Sequence, residues 1–110
     1  MSAVVGGRYL VECYWPGVTH PALTEAVTRV RAAASGLRAA GREITFLGGE
    51  LMPGDEVAFF RFAAGSAACV AEAATTARLP FSRVLDSIEL AADGDDGANG
   101  SSAATGPGEE

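Results

Sequence analysis

The sequence predicts an α+β domain in which one four-stranded antiparallel sheet carries two helices on a single face. Three observations predict it. Two β-rich runs, Ile44–Leu47 and Val57–Phe62, flank a Pro53-Gly54-Asp55 turn signal, the mark of an antiparallel hairpin. A helical pattern lies on each side of that hairpin. A further strand lies outside each helix. The element order is therefore βαββαβ, centred on Glu43–Phe62.

The chain has 110 residues, room for one small domain, and 48% of them are hydrophobic, enough for one core. Residues 1–7 read as a flexible N-terminus and 8–90 as the domain. Arg8–Trp15 is the first strand. Tyr9, Val11, Cys13 and Trp15 alternate with Leu10, Glu12 and Tyr14, so both faces are largely apolar and the strand is central. Pro16-Gly17 ends it.

The first helix starts near Thr19-His20-Pro21, because proline is tolerated in a first turn whose amides are unpaired anyway. Leu23, Val27, Val30, Ala34 and Leu37 then form a stripe at the α-helical period, and Gly41 is the C-terminal stop. After the hairpin, Ser66 is a good N-cap for the second helix, since its hydroxyl can accept from a free first-turn amide. Cys69, Val70, Ala73 and Ala77 make a stripe of small residues that lets this helix lie close to a sheet. Pro80 closes the helix. Phe81–Leu90 is the last strand, with Val84, Ile88 and Leu90 on one face.

Two strand–helix–strand halves joined at a hairpin form the ferredoxin-like split pattern, with the first and third strands in the middle of the sheet. Strand parity then exposes a second feature. With Val11, Cys13, Phe60 and Phe62 under the helices, Leu10, Glu12, Tyr14, Val57, Phe59 and Arg61 point away. An apolar sheet face of that size is seldom left in water. A homodimer with the two sheets face to face is the expected solution, or a bound ligand.

Charge narrows the partners. The net charge is −6, and residues 91–110 carry five acids and no base, which leaves the rest at −1. A nearly neutral domain has no electrostatic footprint for nucleic acid. The tail 91–110 is Gly, Ser, Ala and acid, and is expected to be disordered because it has nothing to bury. All eight basic residues are arginine, a coding bias of a GC-rich genome and not a binding surface. No apolar run reaches the roughly 18 residues of a membrane helix. The N-terminus also lacks a secretory pattern, so a cytoplasmic protein is expected. Cys13 and Cys69 form no C-x-x-C and have no neighbouring histidine. They read as small buried thiols, against a redox pair or a metal site.

Several stretches carry a resemblance: Arg8-Tyr9-Leu10-Val11-Glu12, Ile44-Thr45-Phe46-Leu47, Val57–Phe62, Ala64-Gly65-Ser66 and Leu79-Pro80-Phe81-Ser82-Arg83-Val84. In type and order they resemble a small ferredoxin-like domain-of-unknown-function family that includes an actinobacterial nickel-binding protein. The resemblance covers 8–90. It implies a dimeric α/β barrel, and metal binding as in that member. Glu12 matches the acidic residue that follows the first-strand Leu-Val in the family. Two positions depart from it. Leu47-Gly48-Gly49 stands where members carry a histidine after the second-strand aromatic, and Arg61-Phe62 where they carry an acid. Both departures remove candidate ligands.

Each candidate residue has a plain and a functional reading. His20, the single histidine, is a cap or surface residue, or a ligand or acid/base group. Glu12 and Arg61 share a face on adjacent strands. They are an ion pair, or polar anchors in an apolar pocket. Tyr14, Trp15 and Phe59 are core or interface aromatics, or walls of a cleft. A metal would draw on His20, Glu12, Asp86 or the tail acids, with Cys13 and Cys69 behind them. No triad, paired-carboxylate, zinc or phosphate-loop signature is present.

The first functional expectation is a small dimeric binding protein for a metal ion or a small apolar ligand, with Glu12, Tyr14, His20, Phe59 and Arg61 at the ligand. The alternative is a dimeric α/β-barrel enzyme, such as a cofactor-independent monooxygenase or cyclase on aromatic substrates. A dimer with no ligand is a third.

Overall fold

A computed structural model describes residues 6–88 and 90. The expectations for the first residues and for the acidic tail fall outside that range, apart from Gly6 and Gly7. The elements are β1 (Gly7–Tyr14), α1 (His20–Ala39), β2 (Ile44–Met52), β3 (Val57–Ala64), α2 (Ala67–Thr76) and β4 (Arg83–Ser87). The sheet is antiparallel in the order β2-β3-β1-β4, which puts β1 and β3 in the centre. This is the ferredoxin-like arrangement.

Both helices start and stop by local chemistry. The Thr19 hydroxyl accepts from the Ala22 amide at 3.1 Å and the Ser66 hydroxyl from the Cys69 amide at 3.2 Å, each satisfying a first-turn donor. Both C-termini close with the same pair of backbone bonds. In α1 the Arg42 amide donates to the Leu37 carbonyl and the Gly41 amide to that of Arg38. In α2 the Leu79 amide donates to the Ala74 carbonyl and the Arg78 amide to that of Thr75. Each motif needs one left-handed residue. Gly41 supplies it at φ 91°, whereas α2 uses Arg78 at φ 58°. The second helix therefore ends at Thr76, and Arg78 turns the chain two residues ahead of the expected Pro80.

The helices cover one face of the sheet. Val11 and Cys13 of β1, Phe60 and Phe62 of β3, Val30 of α1 and Val70 of α2 are fully buried. Burying each phenylalanine is worth about 1.5–3 kcal/mol. Phe46 packs its ring against Phe60 and Phe62, with centroids 6.2 and 5.4 Å apart. In α2, Cys69, Val70, Ala73 and Ala74 are buried, so the small-residue stripe does sit against the sheet. Arg29 Nε donates to the Ala77 carbonyl at 2.8 Å and ties α1 to the end of α2.

Two strands differ from expectation. β2 runs through the Gly48-Gly49 pair to Met52 and does not end there. Phe46 pairs with Phe62 and Gly48 with Arg61, so Leu47 is an extra residue in a β-bulge. Leu47 is accordingly 39% exposed. The last strand is shorter than Phe81–Leu90. Its pairing with β1 stops at Arg8–Ser87, because β1 begins at Gly7 and has nothing further to offer. Ile88 and Leu90 lie beyond the ladder, 83% and 85% exposed, and do not join Val84 on the core side.

The hairpin tip is bound to the rest of the fold. Glu56 takes a left-handed conformation at φ 55°. Its carbonyl accepts from the Trp15 amide at 2.8 Å, and its carboxylate from the Gly17 amide at 3.0 Å.

Candidate functional site

The face of the sheet away from the helices is the candidate site. Alternation along β1 and β3 sends Leu10, Glu12, Tyr14, Val57, Phe59 and Arg61 to it, as parity predicts. Tyr14 is 58% exposed, while Leu10, Val57 and Phe59 are half-buried. Registry arranges these side chains in rungs across the strands. Tyr14 stands opposite Val57, and Val57 opposite Met52. The next rung runs Arg83, Glu12, Phe59, Glu50. The one after it runs Leu85, Leu10, Arg61, Gly48.

The expected Glu12–Arg61 ion pair does not form. Glu12 faces Phe59 on one side and Arg83 on the other, and Arg83 Nε donates to its Oε1 at 2.6 Å. A central strand has two neighbours, and the β4 neighbour holds the better-placed arginine. Parity along β4 places Arg83 on this face, and the β4–β1 register sets it opposite Glu12. Among the described residues, no carboxylate lies within ion-pair distance of Arg61. Its guanidinium rests over Gly48, where a Cβ would sit 2.9 Å from Nη2. The bulge and its glycine make room for that group. Glu50, on the same face, went unremarked in the sequence because it follows a glycine pair that reads as the end of a strand.

His20 is not brought to this face. It is the exposed first residue of α1, in the helical layer, and its carbonyl accepts from the Thr24 hydroxyl at 3.0 Å. Trp15 packs against the core and not on the open face. Cys13 lies under the helices. Burial, with the neighbouring Glu12 charge behind it, pushes its thiol up to about 12, so it stays protonated and unreactive at neutral pH. Both cysteines are free and buried.

For a metal, the donor set matters. Among the described residues, no three side chains of His, Cys, Asp or Glu come together. A shallow depression of about 250 Å³ at the β2 edge is lined by Arg38, Arg42, Glu43, Ile44, Thr45 and Ala63. Its arginines are engaged, Arg38 with the Ile44 carbonyl and Arg42 with Glu72. No helix among the described residues is long and apolar enough to cross a membrane.

No protein-family model matches the chain, and no curated protein sequence does. Among solved structures the chain is similar to SCO4226 from Streptomyces coelicolor A3(2), with a TM-score of 0.65 and 14% identity. The match covers 76% of this chain and 99% of that one. At this identity the likeness is one of fold. It supports a small ferredoxin-like domain and carries neither nickel nor any other ligand to this chain.

Proposed function

We propose that the chain is a homodimeric binding protein whose two sheets face each other and hold a small apolar ligand between them. The observation that carries this reading is the uncovered sheet face, where Leu10, Tyr14, Val57 and Phe59 form an apolar surface on the two central strands. Leaving such a surface in water is unfavourable, and a second copy covers it in the simplest closed assembly. Half-buried aromatic and aliphatic walls with a few polar groups are the usual make-up of a small-molecule site. The enzyme alternative has no comparable support. Of the site residues, Glu12 is held by Arg83, and His20 lies in the other layer.

Light scattering at micromolar concentration tests the assembly. The wild type is expected to be a dimer and Phe59→Ala to dissociate more readily, because the variant removes apolar area from the centre of the interface. Uptake of the neutral apolar dye N-phenyl-1-naphthylamine tests the ligand site. Dye fluorescence should rise with the dimer and fall when aromatic competitors are added. A monomeric wild type refutes the dimer, and a dimer that excludes the dye refutes the ligand.

A further inference from the structure

Arg61 sets a condition on any copy that covers the open face. Its guanidinium lies over Gly48 with no carboxylate in ion-pair reach among the described residues. Covering it with an apolar surface would strand a charge, which is costly unless the covering surface supplies a counter-ion. In a two-fold dimer that surface is the same face of the same sheet. Among the described residues, the acids on the rungs of that face are Glu12 and Glu50. Glu12 is already held by Arg83 at 2.6 Å. Glu50 is exposed, and among the described residues no cation lies within ion-pair distance of it.

Two placements of the two-fold axis in the plane between the sheets bring the central strands together. An axis running along the strands, between β1 and β3, keeps each rung opposite the same rung. It sets Arg61 against the partner's Leu10, with no carboxylate in its own rung, and turns Glu50 to the partner's Arg83. An axis running across the strands, between the Phe59 rung and the Arg61 rung, exchanges those two rungs. Each strand then faces its own copy. Arg61 comes down on the partner's Phe59, one strand away from the partner's Glu50. Neighbouring strands are about 4.8 Å apart and facing sheets about 10 Å, a gap that a long arginine spans. The guanidinium then gains a carboxylate and an aromatic face at once.

Resting on the homodimer reading above, we infer that the two copies dock about this cross-strand axis and that the pair from Arg61 to the partner's Glu50 fixes their register. The pair occurs twice, once from each copy. Both positions are exposed in the single chain, so substitution there leaves the fold intact.

Charge reversal tests it, with sedimentation giving the dimer dissociation constant and circular dichroism the fold. Arg61→Glu and Glu50→Arg are each expected to weaken the dimer at least about tenfold, since close charge pairs across interfaces couple this strongly. The double variant restores the pair in reverse and should return to within about threefold of wild type. Arg61→Gln should weaken the dimer less than Arg61→Glu, because it removes the attraction without adding repulsion. A dimer indifferent to both single reversals overturns this register and leaves the homodimer standing. So does a loss that the double variant fails to rescue. A monomeric wild type overturns the homodimer itself.

Discussion

Replacing Gly48 with alanine separates two costs that meet at one residue. The first is backbone. Gly48 holds φ at 131°, a region that residues with a Cβ rarely enter. Holding such a residue there costs about 1–3 kcal/mol. The second is contact. The new Cβ would stand 2.9 Å from Arg61 Nη2, inside van der Waals contact, but that atom is the far end of a flexible side chain and can swing away. The backbone cost should therefore dominate. A loss of about 1–3 kcal/mol in a domain of this size lowers Tm by on the order of 10 °C. Urea unfolding followed by circular dichroism measures it, at one fixed protomer concentration because a dimer's stability depends on concentration. The double variant with Arg61→Ala decides between the causes. Removing the guanidinium should return little of the loss. Full recovery would show that the contact and not the backbone sets the cost, and a loss below about 0.5 kcal/mol would refute both.

Arg78→Gly should stabilise the domain by up to about 1 kcal/mol, because glycine holds the left-handed stop of α2 without the Cβ penalty; an unchanged or lower urea midpoint counts against it. The Cys13 thiol is raised from 9.0 to about 12, so the folded state keeps its proton where the unfolded state loses it. Its contribution is complete below pH 9 and is lost as pH rises towards 12, so between about pH 9 and pH 11 wild type should lose stability more steeply than Cys13→Ala, and parallel profiles would refute this. Calorimetric titration of the untagged protein with nickel should show weak binding or none, since the single imidazole, His20, lies apart from the carboxylates of the open face. Tight stoichiometric binding that survives His20→Ala would show a site made of other donors.

What could be read from the sequence divides by the range of the interaction that decides it. The caps at Thr19 and Ser66 depend on a hydroxyl and an amide three residues away, and both are legible. So are the inward and outward faces of β1 and β3, since alternation fixes them whatever lies beside them. The bulge at Leu47 is not, because a Gly-Gly pair after the β-rich run Ile44–Leu47 suits a chain reversal as well as an extra residue in a ladder. The reach of β4 depends on where β1 starts, so apolar Ile88 and Leu90 look like strand residues yet find no partner. The same holds at the site. Placing Glu12 and Arg61 on one face needs only parity, whereas the partner Glu12 takes depends on the register of β4 against β1, which alternation does not fix.

Hairpin tips are ordinarily where a fold accepts new sequence. Here the tip is a poor place for it. Glu56 receives the Trp15 amide on its carbonyl and the Gly17 amide on its carboxylate, so the β2–β3 reversal and the β1–α1 connection form one knot. An inserted peptide or a grafted epitope at 53–56 would release both loops, and with them the Tyr14 and Val57 end of the open face. A change of length at that end therefore disturbs two loops at once, and the strain reaches the sheet through both central strands.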